Sequence, residues 1–281
     1  MSSATTSSRT SGTTSVRATG ATGDSGATSD SGVTGAAGFS RSALLDARIE
    51  LLLPAFRRVG GRVWSVPEPD QIYPEYLCLM HQVIRSTVPL MEAALARCQE
   101  LAGPRGDGDP VAAALVPYWK KHIPEEWGHD EWLRQDLAAI GCDPDEVWRR
   151  IPPASAATLV GAQYYWIHHH HPACLLGHIA VVEGNPPDRK VAGELARRTG
   201  YPESGFRTLH RHAALDVKHR ADLRELIDRL PLDDRLDASL GLSALHTVQS
   251  LIDMFEQLAM AFERGRRSSV PPLPGVDGAG D

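Results

Sequence analysis

The chain has 281 residues, 42% of them hydrophobic and 23% charged, a composition able to bury a core in one large domain or two small ones. A formal net charge of −6 argues against nucleic acid or an anionic membrane as partner, because both reward clustered Lys and Arg. The first stretch lacks the apolar region of a secretory signal, and no run approaches the roughly 18 apolar residues of a membrane span. A cytoplasmic protein is the expectation. Cys78, Cys98, Cys142 and Cys174 lie far apart without a CxxC pair and read as reduced, buried thiols. The 12 histidines are crowded mostly between Leu115 and His219, and that crowding needs an explanation.

Residues 1–38 are almost wholly Ser, Thr, Gly and Ala. They cannot bury enough surface to offset the entropy of ordering, so the sequence predicts a disordered tail. Residues 268–281, with Pro271, Pro272, Pro274 and Gly275, read as a second, shorter disordered tail, which leaves 39–267 as the folded domain. Within it the pattern is helical throughout. Ser42 to Val59 carries Leu44, Leu45, Ile49, Leu52 and Leu53 at helical spacing; Tyr73 to Leu101 follows. A third stretch from Pro110 to Ile140 is expected to break or kink at Pro124, which has no N–H for the helix ladder. A short turn at Val147 comes next. Then Ser155 to Glu183 is interrupted near Pro172 and stopped by Gly184-Asn185-Pro186-Pro187. Helices over Val191–Arg198, Glu203–Leu230 and Leu232–Arg264 complete an all-α bundle without internal repeat.

The chemistry concentrates in His212-Ala213-Ala214-Leu215-Asp216-Val217-Lys218-His219. Offsets of 4 and 3 place His212, Asp216 and His219 on one helix face. Two imidazoles and a carboxylate suit a transition metal better than calcium or magnesium. The plainer reading is a solvated face, but Leu209, Leu223 and Leu226 continue nearly the same stripe, so these polar groups point toward the core. Upstream, Glu126-Trp127-Gly128-His129 is an E-x-x-H element. Such pairs are common on wet faces, yet Trp119, Trp127, Trp132 and Leu133 surround this one. Between the two, Glu183 closes the apolar run Leu175–Val182, where an unpaired carboxylate is costly; alone it reads better as a helix end reaching solvent, and only the company of the other two elements draws it into the site. Together these segments offer three carboxylates and three imidazoles. Two Fe(II) ions would nearly neutralise them and keep positions open for other ligands.

The order E-x-x-H, lone Glu after an apolar helix, then H-x3-D-x2-H resembles the haem-oxygenase-like diiron oxidases and oxygenases, also called iron-containing redox enzymes. The context agrees: His122-Ile123-Pro124-Glu125 before Glu126, Trp132-Leu133 and Asp136-Leu137 after His129, and Pro172 to Gly177 leading into Glu183-Gly184. The resemblance spans about residues 45–262. It implies a haem-oxygenase-like seven-helix bundle, two iron ions and no haem, dioxygen and a small organic substrate as reactants, an external electron donor, and a peroxo-diiron(III) intermediate. By this carry-over one iron takes Glu126, His129 and a bridging carboxylate. The other takes residues of the His212, Asp216, His219 helix, with Glu183 able to swing in. A homodimer is compatible with it. The substrate would be an amine, an amino acid or a fatty-acid-like chain.

Four other readings compete. A ferritin-like diiron site needs a second E-x-x-H, but the third residue after Glu183 is Pro186. Haem oxygenase itself needs a proximal histidine early in its first helix, whereas the first histidine here is His81. A metal-free member of the fold, such as a cofactor-synthesis oxidase or a thiaminase, would use the histidines as acids and bases; a non-catalytic metal-binding protein would bind iron without turnover. Among the remaining histidines, His168-His169-His170-His171 point in four directions on a helix, so at most one or two could join one site. Counting back from Glu183 places Tyr165 and His169 near its face, as pocket residues or partners of the ligands. His122, one turn before Glu126, reads as a partner to the ligands, its direction obscured by Pro124.

Overall fold

The structure, a computed structural model, describes residues 38–184 and 189–274. The expected tail over residues 1–37, the Asn185-Pro186-Pro187 stop and residues 275–281 lie outside them. The described residues form helices and a single isolated bridge between Cys142 and Pro272, with no strand among them.

In chain order the helices are α1 Arg41–Glu50, α2 Leu53–Trp64, α3 Pro69–Ile84, α4 Thr87–Ala102, α5 Pro110–Glu126 and α6 His129–Ala139. After them come α7 Glu146–Arg149, α8 Ala154–His169, α9 Leu175–Val182, α10 Arg189–Thr199, α11 Arg207–Arg229 and α12 Asp234–Glu263. Twelve helices among the described residues replace the expected seven, because local chemistry cuts the long stretches. Pro54 opens α2 and separates it from α1. Pro89 cannot donate to the carbonyl of Arg85, and the chain restarts at Thr87 with the Ser86 hydroxyl donating to Val83 O at 2.5 Å. The predicted break at Pro124 is corrected: Pro117 and Pro124 both stay inside α5. The break comes at Gly128, whose φ of 80° is the left-handed conformation that glycine reaches without a steric penalty.

Side-chain caps start α5, which carries part of the site, and α12. Asp109 accepts from the N–H of Ala112 at 2.8 Å at the start of α5, and Asp233 from that of Leu236 at 2.7 Å at the start of α12. α12 is the spine, packed against α1, α2, α3, α8 and α9, and α4 lies along α5. The contact of α9 with α12 is close enough to require Gly177, since a Cβ there would sit 2.1 Å from the carbonyl oxygen of Leu240. A large core runs through Leu45, Leu90, Trp119, Leu159, Leu176 and Ala244, and a smaller one joins Tyr73, Leu77, Leu137 and Phe206. Each fully buried leucine stabilises the fold by about 1.5–3 kcal/mol. All four cysteines are buried and unpaired.

The tail expected from residue 268 is corrected over 268–274. The N–H of Asp143 donates to Pro271 O at 2.8 Å, that of Leu273 to Gly141 O at 3.0 Å, and Val270 packs on the smaller core. Buried Glu75 accepts from the N–H of Ser269 at 2.7 Å and is paired with Arg150. Among the described residues no helix is long and apolar enough to cross a membrane.

Candidate metal centre

Four segments deliver the polar residues to one place. His122 and Glu126 are one turn apart at the end of α5 and both face inward. Trp127 leaves the helix, Gly128 reverses the chain, and His129 opens α6. The E-x-x-H element is therefore not a helical pair, as expected from spacing, but straddles a junction that turns His129 back toward Glu126, Nδ1 lying 3.0 Å from Oε2. Glu183 caps α9, whose eight residues are almost all buried, so the chain has no wet face on which to place this carboxylate. α11 contributes His212, Asp216 and His219 from successive turns; Asp216 and His219 are buried and His212 is partly so.

The contacts are dense. His122 Nε2 lies 3.0 Å from Glu183 Oε1, and its Nδ1 lies 3.2 Å from Glu125 Oε2. His219 Nδ1 is 3.4 Å from Glu126 Oε1 and 3.6 Å from Glu183 Oε2. Donor atoms of His122, Glu126, Glu183 and His219 all fall within 4.8 Å of one another. The His129 and His212 rings lie edge to face at 5.2 Å, and both touch Trp132, which carries the Arg211 guanidinium on its outer face. His212 Nδ1 is 2.9 Å from the carbonyl of Thr208, which only accepts; Nδ1 must hold the proton and Nε2 the lone pair.

The electrostatics describe a cluster lacking positive charge. Burial, then the charges of Glu183 and Glu126, push Asp216 up to about 8. Burial also raises Glu183. For Glu126 burial is outweighed by His129 and the neighbouring imidazoles, and its pKa falls. Burial lowers His212 and His219, whereas for His122 it is outweighed by Glu183 and Glu125, which raise it to about 9.

The residues fit a metal on a separate ground. His129 Nδ1, His219 Nδ1 and Glu183 Oε2 are buried with no well-directed hydrogen bond among the described residues. Each such group costs about 1–3 kcal/mol. A cation among them would satisfy all three, and a mixed imidazole and carboxylate set is that of iron, manganese or zinc. Beside the cluster lies a cavity of about 660 Å³, into which Glu126, Glu183, His212 and Asp216 face and whose other walls come largely from α2, α3 and α12.

Tyr165 and His169 do not belong to the site. Tyr165 is 62% exposed and lies tilted against an exposed His169. The count from Glu183 fails because α8 ends at His169 and the chain turns through His170 and a 3-10 segment over Pro172–Cys174; helical phase is not carried across. His122 reaches further into the cluster than its reading as a partner to the ligands implied. Its i, i+4 relation to Glu126 was the available signal, once Pro124 is tolerated within α5. Glu125, which the sequence reading did not single out, bridges His122 and Lys218.

Solved structures share this architecture. A domain of unknown function with a heme oxygenase-like fold from Shewanella denitrificans OS217 aligns with a TM-score of 0.58 at 14% identity, covering 80% of this chain and 93% of that one. A TenA homolog from Pseudomonas syringae pv. tomato DC3000 aligns at 0.58 and 15%, covering 79% and 93%. A CADD-like protein of unknown function from Nostoc punctiforme PCC 73102 aligns at 0.59 and 15%, covering 78% and 97%. The fold is thus heme oxygenase-like. The family model for iron-containing redox enzymes matches residues 76–251, and the chain belongs to that family. No curated protein matches it.

Proposed function

We propose that this chain is a nonhaem diiron oxidoreductase that activates dioxygen to oxidise a small organic substrate lodged in the cavity. The carrying observation is the convergence of buried carboxylates and imidazoles, three of their polar atoms without a well-directed hydrogen bond among the described residues, on the wall of a 660 Å³ cavity. Glu126, His129, Glu183, His212, Asp216 and His219 would hold the ions, with His122 a further donor. Bound iron supplies the redox couple and the open positions that dioxygen reduction requires.

The chain's own groups have separable tasks. The carboxylate of Glu126 has one oxygen beside His129 and the other beside His219, so it would hold metal in company with the imidazoles of both α6 and α11. Thr208 fixes the His212 tautomer so that Nε2 is available without rearrangement. His122 offers Nε2 only on giving up the proton it shares with Glu183, so loading is coupled to proton release. The apolar walls exclude water and favour a substrate with a substantial hydrocarbon part. Repeated turnover needs an external electron donor.

The test is oxygen uptake by iron-loaded protein against a panel of amines, amino acids and fatty acids. The proposal predicts substrate-stimulated uptake that His212→Ala abolishes. Iron binding without stimulation by any compound supports a non-catalytic metal-binding protein. Absence of iron binding supports acid–base chemistry on the same fold.

A further inference from the structure

The cavity beside the metal centre has one stretch of wall built of aromatic rings. Aromatic residues make up 6% of the chain, yet Phe56 and Trp64 of α2, Tyr76 of α3 and Phe255 of α12 all line it. The Phe56 and Phe255 rings are stacked with centroids 5.5 Å apart. Phe255 leads to Tyr76 at 6.0 Å, and Tyr76 meets Trp64 edge to face at 4.8 Å. Three helices thus bring four rings into one continuous run. None of them comes from α5, α6, α9 or α11, the helices that deliver the proposed ligands. Phe56, Trp64 and Tyr76 are each only partly buried against the core, so ring surface remains for a ligand.

Tyr76 adds a polar group to this run. Its ring is held among Trp64, Tyr73 and Phe255, which fixes where the hydroxyl sits. Neighbouring phenols are satisfied: Tyr73 donates to Gly205 O at 2.7 Å and Tyr201 to Asp70 O at 3.0 Å. The Tyr76 hydroxyl has no hydrogen bond among the described residues, and it borders the cavity rather than being sealed by protein. Burial, then the charge of Asp136, pushes its pKa up to about 12, so at neutral pH it is protonated and can donate. A phenol inside a protein normally finds an acceptor. Here the described residues supply none, and the space that the hydroxyl meets is the cavity.

Resting on the oxidoreductase reading, we propose that this wall is the subsite for an aromatic substrate. Its ring packs on Phe56, Trp64, Tyr76 and Phe255, and a neutral oxygen on it accepts a hydrogen bond from the Tyr76 hydroxyl. Aromatic rings prefer offset-stacked or edge-to-face neighbours, and a run of rings at several tilts offers both. A saturated chain gains burial on such a wall but not the ring contacts. The acceptor is a carbonyl, ether or phenol oxygen. A carboxylate is disfavoured, because the chamber has acidic groups on another wall and the aromatic run carries no cation to pair it.

The test is isothermal titration calorimetry of the purified full-length chain, iron-free and iron-loaded, with 2-acetylnaphthalene, 2-ethylnaphthalene and 2-nonanone below their solubility limits. The first carries ring and acceptor, the second the ring alone and the third the acceptor alone. 2-Acetylnaphthalene should bind with or without iron. 2-Nonanone, a ketone of similar hydrophobicity, should bind about tenfold more weakly. Tyr76→Phe should weaken 2-acetylnaphthalene about fivefold and leave 2-ethylnaphthalene unchanged. Phe56→Leu, which keeps an apolar side chain, should weaken both naphthalenes about fivefold and 2-nonanone less, with helical circular dichroism checking that each variant folds. Binding of 2-acetylnaphthalene indifferent to Tyr76→Phe, 2-nonanone bound as tightly, or equal losses of all three ligands in Phe56→Leu would overturn the proposal. Ketone binding that requires iron and ignores Tyr76→Phe would overturn it too, by placing the oxygen at the metal. If iron binds as proposed but neither naphthalene does, only the substrate assignment falls; if iron does not bind, the oxidoreductase reading falls on its own measurement.

Discussion

Two regions of this chain are rich in histidine, and the structure treats them in opposite ways. His168, His169, His170 and His171 are consecutive, the first two exposed, with His170 bonded to Ser239 and His171 turned inward to cap a short 3-10 segment. His122, His129, His212 and His219 are spread over nearly a hundred positions, yet their rings pack within about 5 Å of one another or of shared carboxylates. Local density of histidine does not make a site. Convergence does, from separate helices into a volume with too few hydrogen-bond partners, because only there is a cation the best way to satisfy the buried atoms.

The largest effect that would break this contrast is on metal affinity. Replacing His219 or Glu126 with alanine should lower iron affinity a hundredfold or more, measured by competition with a chelator, whereas His168→Ala and His169→Ala should leave it unchanged. Equal losses from both sets would erase the distinction between the regions.

Next is the strain of the iron-free cluster. Asp216 has its pKa raised to about 8, so the folded state holds a proton that the unfolded carboxylate has released. Its contribution to stability is therefore lost as pH rises from about 4 to 8. Asp216→Asn should stabilise iron-free protein at pH 8 by about 3 kcal/mol in chemical denaturation while weakening iron binding. Destabilisation instead would mean that Asp216 is well satisfied without a cation.

A histidine outside the site should show the opposite sign. Burial lowers His178 to about 4, and its Nδ1 lies 3.2 Å from the Thr247 hydroxyl. The unfolded state takes up a proton below about 6.5 that the fold resists, so stability falls as pH drops from about 6.5 to about 4. At pH 5 this costs roughly 2 kcal/mol, and His178→Gln, which keeps a hydrogen-bonding side chain but does not titrate, should flatten that limb of the melting profile. The smallest effect belongs to the exposed pair: Tyr165→Ala and His169→Ala should each change stability by about 0.5 kcal/mol or less.

How much could be read from sequence followed from how local each feature is. His212, Asp216 and His219 share one unbroken helix, and offsets of 3 and 4 suffice to place them on one face. Glu183 alone reads as a helix end reaching solvent, and only its place between the other two elements marked it; the structure buries it because the residues of α9 before it leave almost no wet surface. The reading failed where phase had to be carried across a break. The Gly128 junction passes for helix by periodicity, and the turn at His170 separates α8 from α9, so Tyr165 and His169 were projected into a pocket they do not reach. The docking of 268–274 was hidden for a different reason. Ser and Pro composition suggests a tail, and the backbone hydrogen bonds that hold it to Gly141 and Asp143 leave no trace in side-chain pattern.

The central claim is that these segments form one dinuclear iron site. It is tested most directly by anaerobic titration of Fe(II) into the purified chain, followed by desalting and iron analysis, with proton release recorded in weakly buffered solution. The account predicts about two irons per chain, protons released on loading because His122 and Asp216 must shed theirs, and loss of binding in both Glu126→Ala and His219→Ala. No bound iron, or binding indifferent to both substitutions, would contradict it.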